Sequence, residues 1–165
     1  MLACSGFHAD GYHLAQRLLQ NIEMYKAQHQ QDMSTESLAQ LLSTILYSKR
    51  FFPYYAFCIL GGVDEEGVGC VYSYDPVGSF ERRPFQAAGS GSQLIQPFLD
   101  NIVGKGNQQG VTYNVDQVSL DWAKKVVDDG MTSATERDIH TGDAYQLFVV
   151  TKDGVQLQVM PLKKD

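Results

Sequence analysis

The chain has 165 residues, 44% of them hydrophobic and 19% charged, with 13 Lys and Arg against 19 Asp and Glu for a formal charge of −6. That length supports one domain, two at most, with a sizeable core, and the composition excludes a disordered, collagenous or coiled-coil chain. The acidic balance argues against a dedicated nucleic-acid or anionic-membrane binder, so neither nucleic acid nor membrane is expected as a partner. Cys4, Cys58 and Cys70 are odd in number and widely spaced, which reads as reduced thiols in a cytosolic or nuclear protein rather than a disulfide framework. No apolar run is long enough to span a bilayer, and the first residues lack the basic-then-apolar order of a secretory signal.

Met1 to Phe7 reads as the end of a buried strand, which leads to the expectation that the chain is the later portion of a larger fold. A helix is predicted from Asp10 to His29, with Leu14, Ala15, Leu18, Leu19, Ile22 and Tyr25 as its apolar stripe. A second helix follows, capped by Ser34 or Thr35, with Glu36 in its positive first turn and Leu38, Leu41, Leu42, Ile45 and Leu46 on one face. Lys49 and Arg50 are placed in its last turn, and Pro53 prevents continuation. Strands are predicted at Tyr54–Gly61, Gly69–Tyr74 and Ser79–Ala88, joined by the turns Asp64–Gly67 and Asp75–Gly78. Two further helices follow. One runs from Ser90 to Val103, bent at Pro97. The other is opened by Ser119, with Ala123, Val126, Val127, Met131 and Ala134 as its buried face and Gly130 as a weak point. Gly104 to Val118 reads as polar loop. The end is a hairpin, Ala144–Thr151 and Val155–Leu162, turning at Lys152-Asp153-Gly154. Strands and helices in blocks predict layered α+β packing rather than a doubly wound parallel sheet.

Chemistry-bearing patterns are sparse. His8, His13, His29 and His140 form no metal-binding pair and no C-x-x-C occurs, so no metal and no cofactor are expected. Gly89-Ser90-Gly91-Ser92 before a helix suits an anion or a plain capped turn; it is neither a P-loop nor a serine-hydrolase elbow. Glu136 to Asp143 gathers titratable and hydroxyl groups, read as a capped, salt-bridged connection or as catalytic support without a local nucleophile. Phe51-Phe52-Pro53-Tyr54-Tyr55 is core filling by default, with a contact patch for another chain as the alternative.

Several strings together resemble the proteasome β-subunit family: Cys4-Ser5-Gly6-Phe7-His8-Ala9-Asp10 leading into a helix, Tyr47 to Tyr55, Gly61 to Gly67, Tyr72 to Ser79, Glu136-Arg137-Asp138 with Thr141-Gly142-Asp143, and the Lys-Lys-Asp ending. The resemblance runs along nearly the whole chain. It implies a four-layer αββα sandwich of the N-terminal nucleophile hydrolase type, here one β-type domain over residues 1–165 with its first strands missing. It also implies a place in the 20S core particle with other proteasome α and β subunits as partners, in the cytoplasm and nucleus. Catalytic members of that family attack with an N-terminal threonine whose own amine takes the proton. Met1 and Leu2 supply no such nucleophile and no Gly-Thr dipeptide occurs, so the resemblance implies a non-catalytic subunit with no catalytic residue in this chain. The alternative is a threonine-type endopeptidase subunit whose nucleophile lies upstream. By the same resemblance, a vestigial active-site shell is carried by Gly6, the oxyanion-hole glycine, by Ser90 and Asp138, and by Thr141 where catalytic members have serine. Asp143 stands where they have a second glycine. Loss of the first strands implies an exposed apolar face, and an isolated chain that aggregates or stays partly molten.

Overall fold

The computed structural model describes residues 1–105, 108–110 and 118–164. Its elements run β1 (Leu2–Gly6), α1 (His8–His29), α2 (Thr35–Tyr47), β2 (Ala56–Val63), β3 (Gly69–Tyr74), β4 (Phe80–Arg83), α3 (Ser92–Leu99), a π-helical turn (Asp100–Gly104), α4 (Leu120–Thr135), β5 (Ala144–Thr151) and β6 (Gly154–Pro161). This is a mixed α+β chain, in the order that hydrophobic periodicity predicts. It divides into two compact units: Met1–Arg83 with the hairpin tip Val149–Val155, and Pro84–Phe148 with Gln156–Asp165. The polar loop expected over Gly104–Val118 falls largely on 106–107 and 111–117, which lie outside the described residues, as does Asp165.

The first unit is built on an antiparallel sheet in the order β1-β2-β3-β4. Its register pairs Leu2 with Leu60, Cys4 with Cys58 and Gly6 with Ala56, then Leu60 with Tyr72 and Tyr74 with Phe80. Side chains alternate between the faces of a strand. Ala56, Cys58, Leu60, Cys70, Tyr72 and Tyr74 therefore share one face, and they are buried with Leu14 and Leu18 of α1 and Ala39, Leu42, Ile45 and Leu46 of α2. Ser34 caps α2 by accepting from the Ser37 N–H at 3.1 Å. One tyrosine anchors the layer: the Tyr74 hydroxyl donates to the Ala39 carbonyl at 2.7 Å, and burial pushes its phenol above the ordinary range.

Several expectations shift. β1 is an edge strand whose side chains are half-buried or exposed, not a buried one, because within this sheet only β2 flanks it. α2 ends at Tyr47, before Lys49 and Arg50; the chain continues through tighter turns in which the Lys49 N–H reaches Leu46 O and the Arg50 N–H reaches Tyr47 O. On α1 the fully buried stripe narrows to Gly11, Leu14 and Leu18, and Leu19 is exposed. The aromatic run splits: Tyr54 is 3% exposed and joins the core, whereas Phe51 and Phe52 are 92% and 82% exposed. Core filling therefore holds for Tyr54 and fails for the two phenylalanines.

In the second unit, Ser119 caps α4 by accepting from the Trp122 N–H at 3.2 Å. The fully buried positions of α4 are Val126, Gly130, Ala134 and Thr135; Val127 faces out. Gly130 lies beside α3, where a Cβ would sit 3.6 Å from Phe98 and 3.7 Å from Ile95. The helix expected through Val103 is α-helical only to Leu99. Pro97 lies inside it, and the chain then widens into the π turn, closed by the Lys105 N–H on Asp100 O at 2.9 Å.

Candidate functional site

The second unit gathers three of the four shell residues expected from sequence. α4 ends at Thr135, and the connection to β5 folds back so that Asp138 meets the turn before α3. Ser90 Oγ donates to Asp138 Oδ2 at 2.6 Å and Thr141 Oγ1 donates to the same oxygen at 2.7 Å. The His140 N–H donates to Oδ1 at 3.0 Å. These donors, Ser90 foremost and then Thr141 and the His140 amide, hold the Asp138 carboxyl below the usual carboxylate range. The loop beneath is tied by the Asp138 N–H on Ala134 O at 2.8 Å and by Thr135 Oγ1 donating to Thr141 O at 2.6 Å. Gly91 lets the turn approach, since a Cβ there would lie 3.4 Å from the Ala134 Cβ and 3.6 Å from Asp138 Oδ2.

Such a carboxylate orients hydroxyls; it is a weak base because three donors already stabilise its ionised form. Ser90 is spent on Asp138 rather than on capping α3, whose N-cap Gly91 makes no side-chain bond. The run from Glu136 to Asp143 is therefore both a capped connection and an orienting hub. Lys163 Nζ reaches Glu136 at 3.4 Å, an exposed pair of small energetic weight. Asp143 has φ +64, a left-handed conformation that glycine adopts most freely. The position at which the resemblance places a glycine is thus one whose backbone favours it.

Gly6, the fourth residue that the resemblance assigns to the shell, belongs to the first unit. It ends β1 at φ +112, and a Cβ would sit 2.6 Å from the Tyr55 carbonyl oxygen. The Phe7 N–H donates to that same oxygen at 2.8 Å, and Asp10 accepts from the Tyr55 N–H at 2.9 Å. This double clamp sets the strand-to-helix junction, and only glycine fits at its corner.

Two features escaped sequence reasoning. A surface groove of about 560 Å³ between α1 and the turn after α2 is lined by His13, Arg17, Lys49 and Tyr54 among others. The Tyr54 hydroxyl lies 3.3 Å from His13 Nδ1, and Lys49 Nζ sits 4.8 Å over the Tyr54 ring. The Tyr145 hydroxyl donates to Asp128 Oδ1 at 2.8 Å; burial first, and then that carboxylate, pushes its pKa up to about 12. No local motif announces either, because each depends on a helix face meeting a distant residue. Among the described residues no cluster of three or more potential metal ligands occurs, and no helix is long and apolar enough to cross a membrane.

Comparison with known proteins gives this geometry its context. The family model for the proteasome subunit matches residues 1–150, a stretch that runs through both compact units. Proteasome subunit beta type-1-B of Carassius auratus is 46% identical over 167 aligned residues that cover all of this chain and 69% of the relative. Proteasome subunit beta type-1 of Dictyostelium discoideum is 48% identical, with all of this chain and 70% of the relative covered. The protein of the same name from Arabidopsis thaliana is 47% identical, with 100% and 75% covered. A family match over most of the chain, with relatives that align along its whole length, carries one conclusion: the chain belongs to the proteasome subunit family.

Proposed function

We propose that the chain serves as a non-catalytic β-type subunit of the 20S proteasome core. It would help to wall the chamber in which ubiquitin-dependent and other protein degradation takes place, in the cytoplasm and nucleus, with neighbouring α and β subunits as its partners. The observation that carries this reading is the alignment of relatives named proteasome subunit beta type-1 along the entire chain. The exposed aromatics support an assembly role: Phe7, Tyr47, Phe51, Phe52 and Tyr55 all stand open in the first unit, the residue types that interface cores favour.

The four-layer αββα sandwich is the fold we assign to the complete protein. α1 and α2 cover one face of the four-stranded sheet. On the opposite face Phe57 is exposed and Ile59 and Val71 are only half-buried, which suits a second sheet packed against it. In this reading Ser90, Asp138 and Thr141 are remnants of an active-site shell within the second unit, and Gly6 is such a remnant within the first. Asp138 keeps its orienting bonds, and Asp143 replaces a glycine that the backbone would accept.

Co-purification tests the proposal. A tagged protein of full native length is expected to enter the 20S particle and to stay unlabelled by a threonine-directed covalent inhibitor. A tagged protein that never enters the particle overturns the assembly role. Labelling of this subunit within the particle replaces the non-catalytic reading with the threonine-type endopeptidase.

A further inference from the structure

The register of β1 against β2 sets Cys4 directly opposite Cys58. Directly opposed residues of an antiparallel pair have Cα atoms about 4.5–5.5 Å apart, inside the span of about 4.4–6.8 Å that a disulfide bridges. The two Sγ atoms lie 3.5 Å apart and share a hydrogen bond. The surroundings make the pair asymmetric. Cys58 is buried in the core, whereas Cys4 is exposed on the edge strand. Gly11 seats α1 tightly over the pair: a Cβ there would stand 3.1 Å from the Cys4 Cβ, so the Cys4 side chain is backed by helix backbone and held toward its partner. The shared hydrogen bond keeps the Cys4 thiol below the ordinary thiol range, and with burial it pushes Cys58 above it. Cys70, the third thiol, is buried on β3 opposite Gly62 and serves as an internal control.

We propose that Cys4 and Cys58 form an oxidation site that a hydroperoxide closes into a cross-strand disulfide, stapling the edge strand β1 to β2. The Cys4 thiolate attacks the terminal oxygen of the hydroperoxide; an S–O bond forms, the O–O bond breaks and the alkoxide (hydroxide from hydrogen peroxide itself) leaves and takes the proton given up by the Cys4 thiol, so sulfur is oxidised by two electrons and the peroxide reduced. The Cys58 sulfur then attacks the sulfenic sulfur of Cys4. The S–S bond forms, the S–O bond breaks, and the departing hydroxide takes the Cys58 proton as water. The sum is two thiols and one hydroperoxide giving one disulfide, one water and the hydroperoxide's alcohol, or a second water for hydrogen peroxide itself. The sulfur atoms close from 3.5 Å to about 2.05 Å, a movement within the freedom of two side-chain torsions.

The test is intact-mass and peptide mass spectrometry of the purified full chain after mild hydrogen peroxide. The expected result is a loss of about 2 Da that dithiothreitol reverses, with a Cys4–Cys58 linked peptide in a non-reducing digest. Cys58→Ala is expected to abolish that loss and to leave Cys4 as a sulfenic acid, about 16 Da heavier and trapped by dimedone. Cys70→Ala is expected to leave the linkage intact. Because Cys58 is a core residue, circular dichroism on both variants checks that each remains folded. Cys4→Ser, which alters an exposed position, supplies a second variant expected to lose the linkage. A linkage between Cys4 and Cys70, a linkage between chains, or unlinked stepwise oxidation of the wild-type chain overturns the proposal.

Discussion

The two units hold together by different means. In the first, Leu14, Leu42, Leu46, Leu60 and Cys58 are almost wholly withdrawn from solvent between a helix pair and a sheet. In the second, α3 buries no residue fully, and α4 contributes Val126, Gly130, Ala134 and Thr135. There α4 meets Phe98 and Ile95 of α3 at Gly130, and the side-chain ties that fix the connections are polar: Asp138 with its three donors, and Tyr145 on Asp128. Apolar burial is insensitive to direction, so the first unit tolerates exposed loops and edge side chains provided its centre is filled. Hydrogen bonds are directional, so the second unit depends on a few residues being placed correctly. Substitutions should sort accordingly.

The largest effect is expected at the centre of the first unit. Leu42→Ala removes a fully buried side chain and leaves a cavity, a loss of about 2–5 kcal/mol. Hydrogen exchange over residues 56–74 should rise by orders of magnitude, while exchange over 120–135 reads the second unit separately. Equal loss of protection in both segments would show that the contrast in packing does not divide the molecule's stability.

Gly6→Ala should cost somewhat less, about 2–3 kcal/mol, because the new Cβ meets the Tyr55 carbonyl and the backbone is held at φ +112. Thermal unfolding followed by near-ultraviolet circular dichroism would register it through the tyrosines of the first unit. A variant with unchanged melting would mean that the junction yields, and that the glycine is retained for another reason.

Gly130→Ala should act in the opposite direction. The added methyl enters ordinary contact at 3.6–3.7 Å with Phe98 and Ile95, and alanine is the better helix former, so a gain of about 0.5–1 kcal/mol is expected. Slower exchange over α4 with no change over β2 and β3 would confirm it.

Much of this was legible in the sequence because periodicity and capping are local. The Leu38–Leu46 spacing and Ser34 located α2, and the Asp64 and Asp75 turns bounded β3. Which flank of a stripe turns inward is a tertiary matter. Leu19 and Val127 look like core neighbours in the sequence yet face outward, since the sheet or helix beside them covers a narrower sector than the apolar stripe. The fate of Phe51 and Phe52 was equally hidden, as an aromatic run carries no mark of whether its cover lies inside the chain. Ser90, Asp138 and Thr141 could be named by resemblance, but their convergence on one carboxylate oxygen depends on a fold-back spanning 48 residues. The Cys4–Cys58 juxtaposition rests on strand register, which composition does not reveal.

The smallest global effect, and the most local, belongs to Asp138. Its carboxyl is stabilised in the ionised form by Ser90, Thr141 and the His140 amide, so its folded pKa lies below the unfolded reference of 3.8. The sign follows from linkage: a depressed folded pKa means that the unfolded chain takes up the proton first as pH falls. The contribution of the hub is therefore complete above the unfolded value and fades as pH drops through the folded one. Between pH 7 and pH 5 the turn at residues 89–92 should keep constant protection, and at still lower pH it should open. Asp138→Asn retains an acceptor oxygen but lacks the charge, so it should weaken the turn at neutral pH and remove this acid dependence while leaving exchange over residues 56–74 unchanged. If the variant kept the wild-type acid profile, another carboxylate would be holding the turn, and the polar character assigned to the second unit would rest on the wrong residue.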